Sequence, residues 1–232
     1  KMFTGIVYPS SGKVSVLGYE PVNRDYDFRR RISLVMGQKS QLWWDIPAMD
    51  SFLLLQRYYD IGEGAFRDRL GHLADVLGVE RLLKVHVRKL SLGERMKMEL
   101  MASLLHQPDV IFLDEPTIGL DVIAQQQIRS FIQSYHDQYR PTIVLTSHYL
   151  ADVDALCERI VVVLDGKKAV DQPKDVFESK MGQEKYVSFH FKEPVEEKDT
   201  FFDGFRPQWD GGRCSVELAL PLAKLQDLTV AV

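Results

Sequence analysis

Two adjacent acids, Asp114 and Glu115, directly follow the apolar run Val110–Leu113. Four consecutive apolar residues are typical of a strand buried on both faces of a parallel sheet, and open α/β sheets bind ligands at the carboxyl ends of their strands. At such an edge one carboxylate can hold a hydrated magnesium ion while its neighbour orients and deprotonates a water, as nucleoside triphosphate hydrolysis requires. Taken alone, the pair also fits a polar strand end that enters a turn at Pro116.

A second candidate site lies at a predicted helix start. Ser91 and Gly93 stand where free N–H groups, a hydroxyl and the positive end of a helix dipole can hold a phosphate. Glu94 lies three positions after Ser91, so the same residues also fit a simple capping box. The two interpretations are compatible with each other.

Two further polar residues follow predicted strands. His148 can donate a hydrogen bond to a phosphate or to a general base, although an isolated histidine in this position is more often an ordinary loop residue. Gln38 can bind metal or water through its amide oxygen and donate through its nitrogen, or it can be a surface amide.

The hydropathy pattern predicts the elements that must position these residues. Apolar runs predict strands, and apolar residues at helical spacing predict amphipathic helices. Strands that alternate with helices imply an α/β fold, with a mostly parallel sheet covered on both faces. The predicted strands lie at 32–36, 110–114, 142–146 and 160–164, the second and third of them buried, with a turn at 165–166 and a short strand near 168–170. The predicted helices lie at 91–105, about 121–138 and 149–156, and as a pair between 48 and 79 divided at Gly62 and Gly64.

The two ends of the chain differ in pattern from its centre. The first residues predict the second half of a helix, followed by a turn and a short strand around Val14–Leu17. From Glu184 the residues alternate in polarity, which predicts a small separate α+β module of about 50 residues. We therefore expect a main domain at 1–183, with a helical segment at about 48–105, and a second module at 184–232.

Composition excludes several classes of protein. The chain has 232 residues, of which 45% are hydrophobic and 27% charged, as in an ordinary globular protein. Its net charge of −4 argues against a general polyanion binder, so we expect no nucleic-acid partner. Cys157 and Cys214 lie far apart, outside any zinc-ligand pattern, and favour a reducing setting. No apolar run is long enough to span a membrane, so any membrane link must come through a partner.

In their order and spacing, these segments resemble the ATP-binding cassette (ABC) ATPases over residues 1–182. VIFLDEP resembles the Walker B strand, which implies Asp114 as the Mg²⁺ carboxylate and Glu115 as the catalytic base. Gly119–Leu120–Asp121 is similar to the D-loop, LSLGERMKMEL to the signature, TSH to the switch histidine, and Gln38 to the Q-loop glutamine. The resemblance implies a P-loop NTPase-like fold with a helical insertion, and ATP and Mg²⁺ as cofactors.

Two features depart from the family pattern. The signature has Leu92 and Glu94 where the commoner form has glycine and glutamine, which is compatible with the fold if φ of Leu92 is negative and Glu94 turns away to cap the helix. No GxxxxGKS or GxxxxGKT phosphate loop is present, so we expect the sequence to be truncated before Lys1. The last residues, LQDLTVAV, stop inside an apolar run, so we also expect a truncation at that end. The chain as given is then expected to be inactive.

Together, RRRISLVMGQKSQLWWDIP and LSLGERMK resemble most the cassettes of ABC-2-type exporters. This implies an ATPase that powers export through a separate transmembrane permease, located in the cytoplasm on the inner face of the membrane, as a homodimer or with a paralogous cassette. Alternatives are a soluble ABC-type ATPase acting on ribosomes or chromosomes, and a noncatalytic fragment. Each site would combine Gln38, Asp114, Glu115 and His148 of one chain with Ser91, Gly93 and Asp121 of the other.

Three aromatic residues after Gln38 have two interpretations. Trp43, Trp44 and Phe52 either pack in the core of the helical insertion or form a socket for a coupling helix of the permease. Adjacent tryptophans in a loop that contains Pro47 are difficult to bury together, which favours the socket.

Overall fold

The computed structural model describes residues 1–37, 39–181, 184–193, 207–212 and 214–221. Their contacts divide the chain into two compact units, Lys1–Cys157 and Glu158–Val232. This division falls earlier than the predicted boundary between 183 and 184, because the elements that directly follow Cys157 contact one another. The predicted boundary stays a prediction about domains, and Gln38 lies outside the described residues.

The first unit is built around three parallel strands in the order β1-β2-β3. They are β1 (Ile32–Met36), β2 (Val110–Asp114) and β3 (Thr142–Thr146), as the sequence predicts. The register pairs the last residue of each strand with the last of its neighbour, Met36 with Asp114 and Asp114 with Thr146. All three strands therefore end at the same edge of the sheet.

In the described part of the first unit, six α-helices flank or connect these strands, and the helices predicted from residue 48 onward are confirmed to within a few residues. They are α1 (Tyr26–Arg31), α2 (Ala48–Tyr58), α3 (Glu63–Leu77), α4 (Leu92–Leu104), α5 (Val122–Tyr139) and α6 (Leu150–Leu156). Short 3-10 helices lie at Pro21–Asn23, Glu80–Leu82 and Val87–Lys89. Gly62 is the N-cap of α3 and Gly64 lies inside that helix, so only the first of these glycines divides the pair. Among the described residues, every helix is too short or too polar to traverse a lipid bilayer.

The two faces of the sheet carry different amounts of core. On one face, Val35, Ile111 and Leu113 pack in a large cluster with the buried sides of α2 to α5. The other face carries a smaller cluster that includes Phe28 and Phe112. Most of the apolar burial therefore lies between the sheet and the helices that follow β1.

Three expectations about this unit are wrong. The short strand expected around Val14–Leu17 does not form, because positive φ at Leu17 and Gly18 turns the chain and leaves only an isolated bridge between Val16 and Tyr19. Residues 2–5 form turns and not a helix, although left-handed Gly5 and the bonds from Gly5 N to Met2 O and Ile6 N to Lys1 O follow the pattern of a helix C-terminus. Strand β3 is not buried, since Val144 is 38% exposed. Among the described residues β3 is one of the two outer strands of its sheet, and only its side with Ile143 and Leu145 packs on the large cluster.

The second unit contains an antiparallel hairpin of β4 (Arg159–Leu164) and β5 (Lys167–Pro173). Its turn at Asp165 and Gly166 is the predicted one, and positive φ at both residues suits the twist of a two-residue hairpin loop. The helix α7 (Lys174–Met181) follows. A further antiparallel sheet has the order β6-β8-β7, with β6 (Glu184–His190), β7 (Gln208–Trp209) and β8 (Ser215–Pro221), which agrees with the alternation in the sequence.

A half-buried histidine in the turn after α4 contacts the start of β1. The ring of His106 stacks on Tyr59 with centroids 3.9 Å apart, and its Nε2 donates to the Ile32 carbonyl oxygen over 3.1 Å. Burial is the largest cause that lowers the pKa of His106 from 6.5 to about 4, and the charges of Arg69 and Arg30 act in the same direction. The folded protein therefore keeps this imidazole neutral.

We expect the free energy of unfolding to fall as the pH is lowered from about 6.5 to 4, by up to about 3 kcal/mol through this group. In that interval the unfolded chain takes up a proton on His106 that the folded chain does not. Urea unfolding at pH 7.5 and pH 4.5 measures the effect. His106→Phe retains the aromatic stacking and should reduce the pH dependence, with His72→Asn in α3 as the control. An unchanged pH dependence in His106→Phe would contradict this explanation.

Candidate functional site

Three of the predicted site residues meet at the carboxyl edge of the sheet. Thr146 Oγ1 donates to Asp114 Oδ1 over 2.7 Å, and the Glu115 N–H donates to the Thr146 carbonyl over 3.0 Å. The Nε2 atom of His148 lies 2.9 Å from Oε1 of Glu115. The parallel register therefore brings the acidic pair and the histidine together although they are more than 30 positions apart in sequence.

Glu115 has an unusual backbone and an unusual environment. Its φ of 56° lies in the left-handed region, which residues other than glycine seldom adopt. Its side chain is mostly buried, with Oε1 bound to His148 and Oε2 without a hydrogen-bond partner among the described residues. A carboxylate accepts bonds and cannot donate them, so His148 is the donor. Oε2 is therefore enclosed by the protein without a partner, while His148 covers Oε1.

Asp114 is the partly exposed acid of the pair, and its carboxylate is a hard oxygen ligand of the kind that binds Mg²⁺. Its Oδ2 lies 3.7 Å from Nζ of Lys1, an ion pair between partly exposed groups. The described residues contain no group of three or more His, Cys, Asp or Glu side chains that could enclose a metal ion. A single carboxylate fits Mg²⁺, which proteins commonly bind through one or two carboxylates together with phosphate oxygens and waters.

Gly37, which the sequence interpretation missed, is necessary for the backbone around Glu115. The Gly37 N–H continues the ladder by donating to the Asp114 carbonyl over 2.9 Å. A Cβ atom on Gly37 would lie 2.0 Å from the Glu115 carbonyl oxygen and 2.8 Å from the Ile118 side chain. Only glycine permits this approach between the residue after β1 and the turn after β2. The predicted role of Gln38, which follows directly, stays a prediction.

The N-terminus of α4 has the predicted capping box. The Glu94 N–H donates to Ser91 Oγ over 3.3 Å, and the Ser91 N–H donates to Glu94 Oε2 over 2.8 Å. Glu94 therefore turns back toward its own helix, and Leu92 begins the helix without a positive φ, as the sequence analysis required. The capping interpretation is confirmed, while phosphate binding by Ser91 and Gly93 stays a prediction.

Asp121 is the N-cap of α5 and accepts from the Ala124 N–H over 2.8 Å. A Cβ atom on Gly93 would lie 3.2 Å from Ala124 Cβ, so the beginnings of α4 and α5 are in close contact. Ser91, Gly93 and Asp121 line one surface depression. The structure thus brings together the three residues that the sequence assigned to contact with a nucleotide bound by another chain.

A buried acid, Glu99, connects α4 to the segment that follows β1. Its carboxylate accepts bonds from the Ser40 hydroxyl and from the N–H groups of Gln41 and Leu42. Burial raises the pKa of Glu99, and these hydrogen bonds oppose that shift. The sequence interpretation missed Glu99, although an acid between Met98 and Leu100 on the buried side of α4 was a signal that could have revealed it.

Asp152 is a second buried acid that the sequence interpretation missed. It lies in the first turn of α6 and contacts Thr117, Ser147 and Arg129. Its burial has no signal in the sequence, because an acid in the first turn of a short helix is ordinarily exposed.

The three aromatic residues after β1 were expected either to pack in the core or to form a socket for the permease, and they do not all behave alike. Phe52 is fully buried in the large core cluster, so the expectation that it forms part of a socket is wrong. Trp43 and Trp44 are 51% and 49% exposed, and the Arg95 guanidinium lies 4.8 Å from the ring centroid of Trp44. Exposed tryptophans agree with a partner surface.

The fold and the site together define a P-loop NTPase-like α/β protein, with an acidic pair and a histidine at the carboxyl edge of a parallel sheet. Residues 1–118 match the family model described as ABC transporter. The chain belongs to the ABC transporter family.

Three comparisons give the similarity of this chain to known proteins in sequence or in structure. The chain is 28% identical over 167 residues to the ABC transporter ATP-binding protein NatA of Bacillus subtilis, covering 72% of this chain and 68% of that protein. It is 31% identical over 183 residues to the Nod factor export ATP-binding protein I of Burkholderia thailandensis, covering 78% of this chain and 60% of that protein. A solved structure of an ATP-binding subunit of an ABC transporter has a TM-score of 0.68 at 22% identity, covering 78% of this chain and 74% of that one, and shows the fold.

We expect Gly37→Ala to lower the free energy of unfolding by about 1 to 3 kcal/mol, because the added methyl group must displace the Glu115 backbone. Chemical denaturation of the purified chain measures this. Gly71→Ala is the matched control, since Gly71 lies inside α3 with open space around its Cβ position, and this change should stabilise the protein by up to about 1 kcal/mol. Equal effects of the two substitutions would contradict the close approach.

Proposed function

We propose that this chain is the ATP-hydrolysing subunit of an ABC-2-type exporter and powers export through a separate membrane permease. The observation that carries the proposal is the 2.9 Å contact of His148 with Glu115 beside Asp114, at the edge where α/β sheets bind ligands. Family membership and the similarity to a Nod factor export protein support it. The chain spans 68% and 60% of the length of the two curated relatives described above, so the activity of the whole protein is part of the proposal.

In this proposal Glu115 is the general base. Its carboxylate accepts a proton from the attacking water, while His148 holds Oε1 and keeps the carboxylate in one orientation. His148 is 84% exposed, so its ring can also donate to a γ-phosphate, either in place of Glu115 or, when both ring nitrogens carry protons, together with it. Asp114, with Gln38, would hold Mg²⁺, and the ion when bound neutralises charge on the phosphates of ATP.

A second copy, or a paralogous cassette, completes the site. The first N–H groups of α4 have no partner within the helix, and the positive end of its dipole favours an anion. Ser91 and Gly93 would therefore contact the γ-phosphate of an ATP molecule bound to the other chain, with Asp121 at the same interface. The use of Glu94 as a cap supports this role, because a free carboxylate there would repel the phosphate.

The chain would work in the cytoplasm, on the inner face of the membrane, with Trp43 and Trp44 as a contact for the permease. The net charge of −4 supports a protein partner over nucleic acid. Because the sequence contains no GxxxxGKS or GxxxxGKT loop, we expect these 232 residues by themselves to bind ATP weakly. ATP hydrolysis is therefore best measured on the native protein assembled with its permease.

Glu115→Gln should retain ATP binding and lower the turnover number roughly 10²-fold or more, because the amide cannot accept the proton of the attacking water. We expect it to accumulate as an ATP-bound dimer. Steady-state hydrolysis and nucleotide binding by the purified transporter measure both effects. Glu63→Gln, at an exposed ion pair on α3, is the control. Undiminished hydrolysis by Glu115→Gln would reject Glu115 as the base.

Replacing both Trp43 and Trp44 with alanine should lower the yield of assembled transporter roughly tenfold, because large exposed aromatic residues dominate many interfaces. Affinity copurification with the permease measures assembly, and detection of RNA or DNA in the same preparation tests the alternative partners. Tyr26→Ala removes another exposed aromatic residue and is the control. Normal assembly and normal substrate-stimulated hydrolysis of the double variant would show that the tryptophans are not the permease contact.

A further inference from the structure

Asp152 is a fully buried carboxylate that joins three separate parts of the first unit. Its Oδ2 accepts from Thr117 Oγ1 over 2.5 Å and from Ser147 Oγ over 2.7 Å. Its Oδ1 accepts from a guanidinium nitrogen of Arg129, in the middle of α5, over 2.9 Å. Both carboxylate oxygens are therefore engaged with side chains.

The hydroxyl partners of Asp152 lie beside the two residues that meet at the strand edge. Thr117 is fully buried in the turn after β2, two positions after Glu115. Ser147 directly precedes His148 and also accepts from the Tyr149 N–H over 3.0 Å. One carboxylate thus connects the segment that carries Glu115 to the segment that carries His148.

Packing against neighbouring side chains does not hold His148 in one position. Its side chain is largely exposed, and β3, which precedes it, is an outer strand of the sheet among the described residues. Glu115 has a left-handed backbone that strand pairing alone does not impose. Burying an acid is unfavourable unless it is paired and hydrogen-bonded, and Asp152 meets both conditions through Arg129 and the two hydroxyls.

We propose that Asp152 is a positioning residue for ATP hydrolysis, which holds His148 against Glu115 by binding Ser147 and Thr117 at once. The proposal rests on the proposed function, since it assumes that the Glu115–His148 pair is the hydrolytic site. Arg129 holds the carboxylate in place, so that it can accept from both hydroxyls. A small displacement of a reacting group can lower a rate by about 10²-fold. Loss of this connection is therefore expected to lower the rate of ATP hydrolysis.

A matched pair of substitutions at Thr117 separates positioning from packing. Thr117→Val keeps the volume of the side chain and removes the hydroxyl that Asp152 binds, whereas Thr117→Ser keeps the hydroxyl and removes a methyl group. If Thr117 matters only for packing, the serine variant is the more damaged. If it acts through Asp152, the valine variant has the lower turnover number and the serine variant restores it.

The experiment measures ATP hydrolysis by the native transporter carrying Asp152→Asn, Thr117→Val, Thr117→Ser or Ser147→Ala, with Asp154→Asn on the same helix as the control. We expect kcat to fall roughly tenfold to 100-fold in Asp152→Asn and at least roughly fivefold in Thr117→Val, with KM for ATP within about twofold of the wild type. Adding Ser147→Ala to Asp152→Asn should lower kcat little further, because both changes break the same connection.

Wild-type kcat in folded Thr117→Val, or a larger loss in Thr117→Ser than in Thr117→Val, would overturn the proposal. The comparison of Thr117→Val with Thr117→Ser tests the proposal even if Asp152→Asn does not fold. A wild-type transporter without ATP hydrolysis would instead overturn the proposed function, and with it this role of Asp152. Normal hydrolysis by the wild type together with normal hydrolysis by the Thr117 variants would overturn the role of Asp152 alone.

Discussion

The shared register of three parallel strands is the constraint on which the rest of the structure depends. Because Met36, Asp114 and Thr146 are paired across the sheet, the segments after β1, β2 and β3 leave it at one level. A slip of one residue would turn Ile111 and Leu113 away from the large core cluster and would move Glu115 away from His148. The burial that stabilises the sheet and the geometry of the site therefore have the same origin.

Apolar packing fixes the strands, whereas buried polar groups fix the segments that leave them. Glu99 on α4 binds three groups of the segment after β1, and Asp152 on α6 binds the segments after β2 and β3. Loop backbones have few apolar contacts, so hydrogen bonds to a buried carboxylate are an effective way to give them one conformation. A buried carboxylate is stable only if it has hydrogen-bond partners. The helix that carries each carboxylate and the loops that supply its partners therefore stabilise each other.

The sequence predicted the features that local chemistry determines. The apolar run before Asp114 was sufficient to predict β2, and Ser91 with Glu94 was sufficient to predict the start of α4, because each signal depends on neighbours in the chain. The exposed side of β3 was not predictable, since it depends on which elements cover the sheet.

Three properties of the site also escaped prediction for a physical reason. The left-handed backbone of Glu115, the close approach of Gly37 and the burial of Asp152 arise from contacts between residues far apart in sequence. Polar residues near helix ends and strand ends are common, and only the tertiary structure shows which of them are enclosed. The acidic pair and the histidine could be found from the sequence, but the residues that fix their positions could not.

The most direct test of the account is complementation between two inactive variants, Glu115→Gln and Ser91→Arg, coexpressed in one native transporter. If each site takes Glu115 from one chain and Ser91 from the other, a mixed dimer carries both changes in one site and leaves the second site intact. We expect the coexpressed pair to recover up to about a quarter of wild-type ATP hydrolysis, since random pairing makes half of the dimers mixed. Hydrolysis no higher than that of either variant alone would contradict a site shared between two chains.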